Sequence, residues 1–208
     1  MKKKLIILFF LLVPIASVIF YSCVCEIDTQ YRNYSHKTLM LRNLNNSGAR
    51  AVESDALQFN KNAYGIRLFL TREVVDAVVA RSKTRNSIFI QSAYATSIEC
   101  PPRFIYNPND TIVSIRIFTM NDFDNQHSEN SDITAYFRIA HSFSTVENFV
   151  ANMRYTYEVN FENWWREVTI DLLLMTAPTT NGFHQFKVQI ELSDGRILEQ
   201  KTTEIELL

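Results

Sequence analysis

The chain has 208 residues, 47% of them hydrophobic, which is enough for one domain with a sizeable core. Its 21 basic and 22 acidic residues leave a formal net charge of -1, and no Lys/Arg stripe runs through residues 23–208, so the electrostatic footprint of a nucleic-acid binder is missing. The 3 cysteines form no CxxC pair, the four histidines (His36, His127, His141 and His184) are scattered, and no GxSxG, HExxH or P-loop occurs, so neither a cofactor nor an enzymatic activity is expected.

Residues 1–26 have the plan of a bacterial export signal. Lys2, Lys3 and Lys4 precede an apolar run over residues 5–20, interrupted by Pro14 and Ser17, and Ser22 stands before Cys23. The run falls short of the roughly 20 apolar residues that a spanning helix needs. The segment Phe20-Tyr21-Ser22-Cys23 resembles the lipobox of bacterial lipoproteins, with Phe20 where leucine is usual. That resemblance implies cleavage after residue 22 and a lipid on Cys23. Each buried methylene contributes about 0.8 kcal/mol, so several acyl chains together hold a protein on a membrane where one is marginal. A cleaved secreted protein and an uncleaved signal anchor remain the alternatives. Cys25 and Cys100 are then left, either paired, as an exported chain allows, or separate.

Residues 23–36 read as a polar tether and residues 37–208 as a single domain. Residues 38–44 read as a first strand, and Asn45-Asn46-Ser47-Gly48 as a turn. In residues 64–71, Ile66, Leu68 and Leu70 alternate with Arg67, Phe69 and Thr71, the period of a strand with one face buried. Residues 73–80 fit a short helix by spacing but are rich in valine, a poor helix former. Residues 87–97 read as a strand, and residues 100–109, with Pro101, Pro102 and Pro108, as a loop. Residues 111–120 predict a strand with Val113, Ile115 and Ile117 inward, and residues 132–141 another with Ile133, Ala135, Phe137 and Ile139 on one face. Ser144-Thr145-Val146-Glu147 matches a capping box and predicts a helix over residues 144–154. Residues 167–176 predict a central strand. Residues 184–192 and 196–207 predict a hairpin about Asp194-Gly195, with Phe186, Val188, Ile190 and Leu192 inward.

Seven or eight strands with one short crossover helix predict a mainly β protein: an antiparallel β-sandwich of immunoglobulin-like or fibronectin-like form. A smaller α+β arrangement is the alternative. The segments Ala63-Tyr64-Gly65-Ile66-Arg67-Leu68, Ser92-Ala93-Tyr94-Ala95, Ile115-Arg116-Ile117-Phe118-Thr119 and Asn121-Asp122-Phe123-Asp124, with the final hairpin, resemble an uncharacterised lipoprotein family of Bacteroidetes classed as a domain of unknown function. The resemblance implies a cell-envelope location and a β-rich domain, and no activity. Asp110-Thr111-Ile112 resembles the short O-glycosylation signal of the same bacteria.

Two stretches are candidate sites. In residues 122–132, Asp122, Asp124, Glu129 and Asp132 supply the oxygen ligands that calcium takes, although EF-hand spacing fails; the bland reading is a solvated loop. Trp164 and Trp165, flanked by Glu162, Asn163 and Arg166, could stack on a sugar ring; the bland reading is that a tryptophan plugs the end of the core. The expected function is therefore a non-enzymatic, lipid-anchored interaction or assembly module of the cell envelope, in the outer membrane. Its partners are the membrane, through the lipid, and a glycan or an envelope protein. The alternative is a surface carbohydrate-binding module using Trp164 and Trp165.

Overall fold

The computed structural model describes residues 29–78, 103–155, 157–159, 167–179 and 181–208. The protein is mainly β, and its described residues form several antiparallel sheets, one short helix and a 3-10 turn.

The largest sheet grows on a long hairpin. Strand β1 (Thr29–Asn45) pairs antiparallel with β4 (Tyr64–Val78) from Asn45 opposite Tyr64 to Tyr31 opposite Val78. A short β2 (Val52–Glu53) pairs with the end of β1. On the other side of β4 lies β9 (Glu167–Leu174), followed by β7 (Phe137–Ile139). The amino-terminal half of β1 carries β5 (Arg103–Pro108) in parallel, and β8 (Tyr157–Val159) pairs with β5. A second sheet has the order β12-β11-β6, from β6 (Ile112–Thr119), β11 (Phe186–Leu192) and β12 (Ile197–Lys201). A third joins β3 (Gln58–Phe59), β10 (Gly182–His184) and β13 (Ile205–Leu207).

The three sheets of the described residues feed one apolar cluster, which makes the arrangement a sandwich. The large sheet contributes Ile66, Leu68, Leu70, Ile170 and Leu172, and the second sheet Ile115, Ile117, Val188 and Ile190. Phe186 stands at the centre: its ring stacks on Tyr64 at 5.4 Å and meets Phe137 edge-on at 5.9 Å. Each such side chain contributes about 1.5–3 kcal/mol on full burial, so these layers outweigh surface ion pairs worth about 0–1 kcal/mol. Tyr34, Phe104 and Tyr106 form a separate small cluster under the β1–β5–β8 end of the sheet.

Several expectations are corrected. The polar stretch expected as a tether over residues 23–36 overlaps β1, because Thr29 onward finds backbone partners on β4 and β5. Residues 73–78 continue β4 as strand, in keeping with their β-branched valines. The loop expected over residues 100–109 contains β5: Phe104 and Tyr106 alternate inward, and Pro108 occupies only the last strand position. Val113 points outward, 53% exposed, because β6 carries a bulge there; Ser114 pairs with Glu191 and Ile112 with Leu192, so Val113 is the extra residue. In the strand expected over residues 132–141, Asp132 Oδ1 accepts from both the Thr134 amide and its hydroxyl, which winds Thr134–Tyr136 into a 3-10 turn and leaves Ala135 exposed. Helix α1 (Val146–Ala151) is shorter than expected, and its cap is Thr145, whose Oγ1 accepts from the Asn148 amide, rather than Ser144. The second hairpin arm breaks at Thr202, whose Oγ1 accepts from the Phe186 amide, and the chain then leaves for the third sheet. The strand expected over residues 87–97 lies outside the described residues.

Candidate functional site

The acidic loop uses its oxygens internally. Asp124 Oδ1 accepts from the Gln126 amide, the His127 amide and His127 Nδ1, each at 2.8 Å, and Asp124 Oδ2 accepts from the Tyr136 hydroxyl at 3.1 Å. Burial works to raise the Asp124 carboxyl, but these hydrogen bonds prevail and its pKa lies below the ordinary value. Asp122 Oδ1 takes the Glu129 amide, Glu129 Oε1 takes the Asn130 side-chain amide, and Asp132 holds Thr134. Asp122, Asp124, Glu129 and Asp132 therefore shape turns one by one. Among the described residues, no group of three or more His, Cys, Asp or Glu side chains is placed to hold a metal ion.

Trp164 and Trp165 lie outside the described residues, as do Cys23, Cys25 and Cys100.

The structure adds a groove that the sequence did not announce. Among the described residues, strand β6 ends its sheet. The carboxy-terminal part of β6 is covered: Ile133 donates to the Ile117 carbonyl and the Ile117 amide donates to Thr134 Oγ1. Nearer its start, the edge opens into a groove of about 550 Å³. Val113, Ser114 and Arg116 of β6 line it together with Glu147 and Val150 of α1 and with Asp132. The bulge is what brings Val113 into that lining. The lining therefore combines apolar side chains with one cation from the strand and two carboxylates from the helix and the loop. This lining suits a polypeptide segment, whose backbone and side chains bring both apolar and hydrogen-bonding groups. Only the local bulge hides it from a reading by alternation.

A buried polar node is the second feature. His36 is 0% and Asp110 1% exposed. His36 Nδ1 contacts Asp110 Oδ1, and the His36 amide donates to both Asp110 oxygens, at 3.1 and 3.2 Å. Arg196 Nη2 donates to Asp110 Oδ2 at 2.5 Å and Arg196 Nη1 to the His36 carbonyl at 2.8 Å, while Asp194 holds the Arg196 Nε. Burial lowers the His36 pKa against the opposing pull of Asp110. Asp110, read in sequence as part of a glycosylation-like tripeptide, has its side chain inside the protein.

A family described as a domain of unknown function (DUF5034) matches residues 36–203. No curated protein and no solved structure matches the chain.

Proposed function

Since the chain belongs to the DUF5034 family of domains of unknown function, we propose a role in which the domain binds rather than converts: a lipid-anchored interaction module of the bacterial cell envelope. The observation that carries the binding half is the groove between β6 and α1, an open slot lined by mixed apolar and charged side chains. The anchoring half is supported by the basic start, the apolar run and Ser22-Cys23.

The test has two arms. Cells producing the full chain or Cys23→Ala are fed an alkyne fatty acid, fractionated, and shaved with protease. The expected result is labelled, membrane-bound protein that becomes unlabelled precursor on Cys23→Ala. Equal labelling and equal partition of the two would overturn the anchor. In the second arm a photocrosslinking residue replaces Val113 in living cells. A discrete adduct that Val150→Glu abolishes is expected, whereas the absence of any adduct at Val113 would overturn the groove as the binding surface.

A further inference from the structure

The node at His36 sits where the large sheet changes character. On one side of it β1 and β4 belong to the sandwich; on the other they carry β5, β8 and the separate Tyr34–Phe104–Tyr106 cluster. A register shift lies on each side. Val75 is an extra residue on β4, between the pairs Asn33 with Asp76 and Tyr34 with Val74. Lys37 and Thr38 together oppose Thr71, between the pairs His36 with Arg72 and Leu39 with Leu70. The ladder is thus interrupted both before and after His36, and bulges bend a strand and weaken its pairing. Across this interrupted stretch, Asp110 and Arg196 bind the His36 backbone from segments 74 and 160 residues away.

We propose that His36, Asp110 and Arg196 form a proton-sensitive clamp, which holds the β1–β5–β8 extension on the sandwich while His36 is neutral and releases it when His36 is protonated. Neutral His36 donates from Nδ1 to Asp110 and leaves Nε2 with a lone pair. Nε2 is buried and has no hydrogen-bond partner among the described residues, and the rings of Tyr34 and Tyr155 meet the imidazole edge-on at 5.7 and 6.5 Å. Protonation places an N–H and a charge there. The charged groups around it are the Asp110 carboxylate, which favours the cation, and the Arg72 and Arg196 guanidiniums, which oppose it. Asp110 already accepts from the His36 amide and from Arg196, so it cannot turn to serve Nε2. Opening the extension lets Nε2 reach water, which relieves the cost of the buried cation. The sign follows from burial. With the folded pKa held below the ordinary 6.5, the clamp's contribution is complete above that value and is lost as pH falls through the folded pKa.

Hydrogen exchange of the full-length chain in a mild detergent, corrected for intrinsic rates, tests the clamp at about pH 7.5 and about pH 5. Amides of residues 29–36 and 103–108 are expected to lose about tenfold or more of their protection at the lower pH, while β11 keeps its own. The midpoint should coincide with the His36 ring titration followed by NMR. His36→Asn, whose side-chain amide can still donate to Asp110, should remove the pH dependence. Equal protection at both pH values would overturn the clamp, as would an opening midpoint that follows carboxylates instead of His36, or an unchanged dependence in His36→Asn. If His36→Asn does not fold, the coincidence or separation of the two midpoints in the unaltered chain decides alone.

Discussion

Gly65 of β4 lies opposite Leu173 of β9 and so close to the neighbouring Leu172 that a Cβ at Gly65 would lie 2.6 Å from the Leu172 carbonyl oxygen. Leu173 Cδ2 at 3.1 Å and Leu44 Cβ at 3.3 Å close the remaining space. The nearest obstacle is backbone, which cannot rotate aside. Gly65→Ala is therefore expected to destabilise the fold by about 3 kcal/mol through overpacking between central strands. A urea unfolding midpoint unchanged from the parent chain would contradict this.

The cap of α1 gives a second expectation. Thr145 Oγ1 accepts from the Asn148 amide, whereas the Ser144 hydroxyl pairs with Ser142. Thr145→Ala should cost about 1 kcal/mol and Ser144→Ala clearly less. The reverse order, measured by thermal or chemical unfolding, would restore the capping box as the sequence suggests it.

Asp124 yields a pH prediction. Its carboxyl is held below the ordinary 3.8, so the stability it contributes is present above that pH and lost as pH falls through the folded value. Carboxyl carbon NMR should place its midpoint below 3.8, and Tyr136→Phe, which deletes one hydrogen bond to Oδ2, should move it upward. A midpoint indifferent to Tyr136 would show that the bond does not persist in solution. Conversely, burial and the Asp124 carboxylate raise the Tyr136 phenol, so Asp124→Asn should lower it.

Phe143 adopts φ 53 and is 63% exposed. The left-handed region costs a residue with a bulky side chain about 1–2 kcal/mol, and little burial compensates here. Phe143→Gly should stabilise the chain by up to about 1 kcal/mol. Destabilisation in equilibrium unfolding would show that the ring makes contacts worth more than the strain.

Local chemistry was legible wherever it acted alone. Asp194-Gly195 specified its turn, with Gly195 at φ 85, and the alternation of Phe186, Val188, Ile190 and Leu192 gave their inward face directly. It failed where two local signals competed. The prolines around residue 101 masked the alternation of Phe104 and Tyr106, and the polar look of residues 29–36 masked a strand whose partners lie elsewhere in the chain. In the candidate site the same limit applies. The loop carboxylates were visible as residues, but not their engagement by neighbouring amides, and one bulged residue on β6 made the groove.

By itself the sequence determined the β-rich class, the main turns, most of the inward faces and the family to which residues 36–203 belong. These follow from backbone preferences and a two-residue period, which act over a few positions. Only the tertiary structure decided that β5 runs parallel to β1, that Val113 lines a groove, and that His36, Asp110 and Arg196 meet inside the protein. Those outcomes depend on which distant segments share one desolvated space, where a polar group keeps its charge or proton according to partners 74 or more residues away.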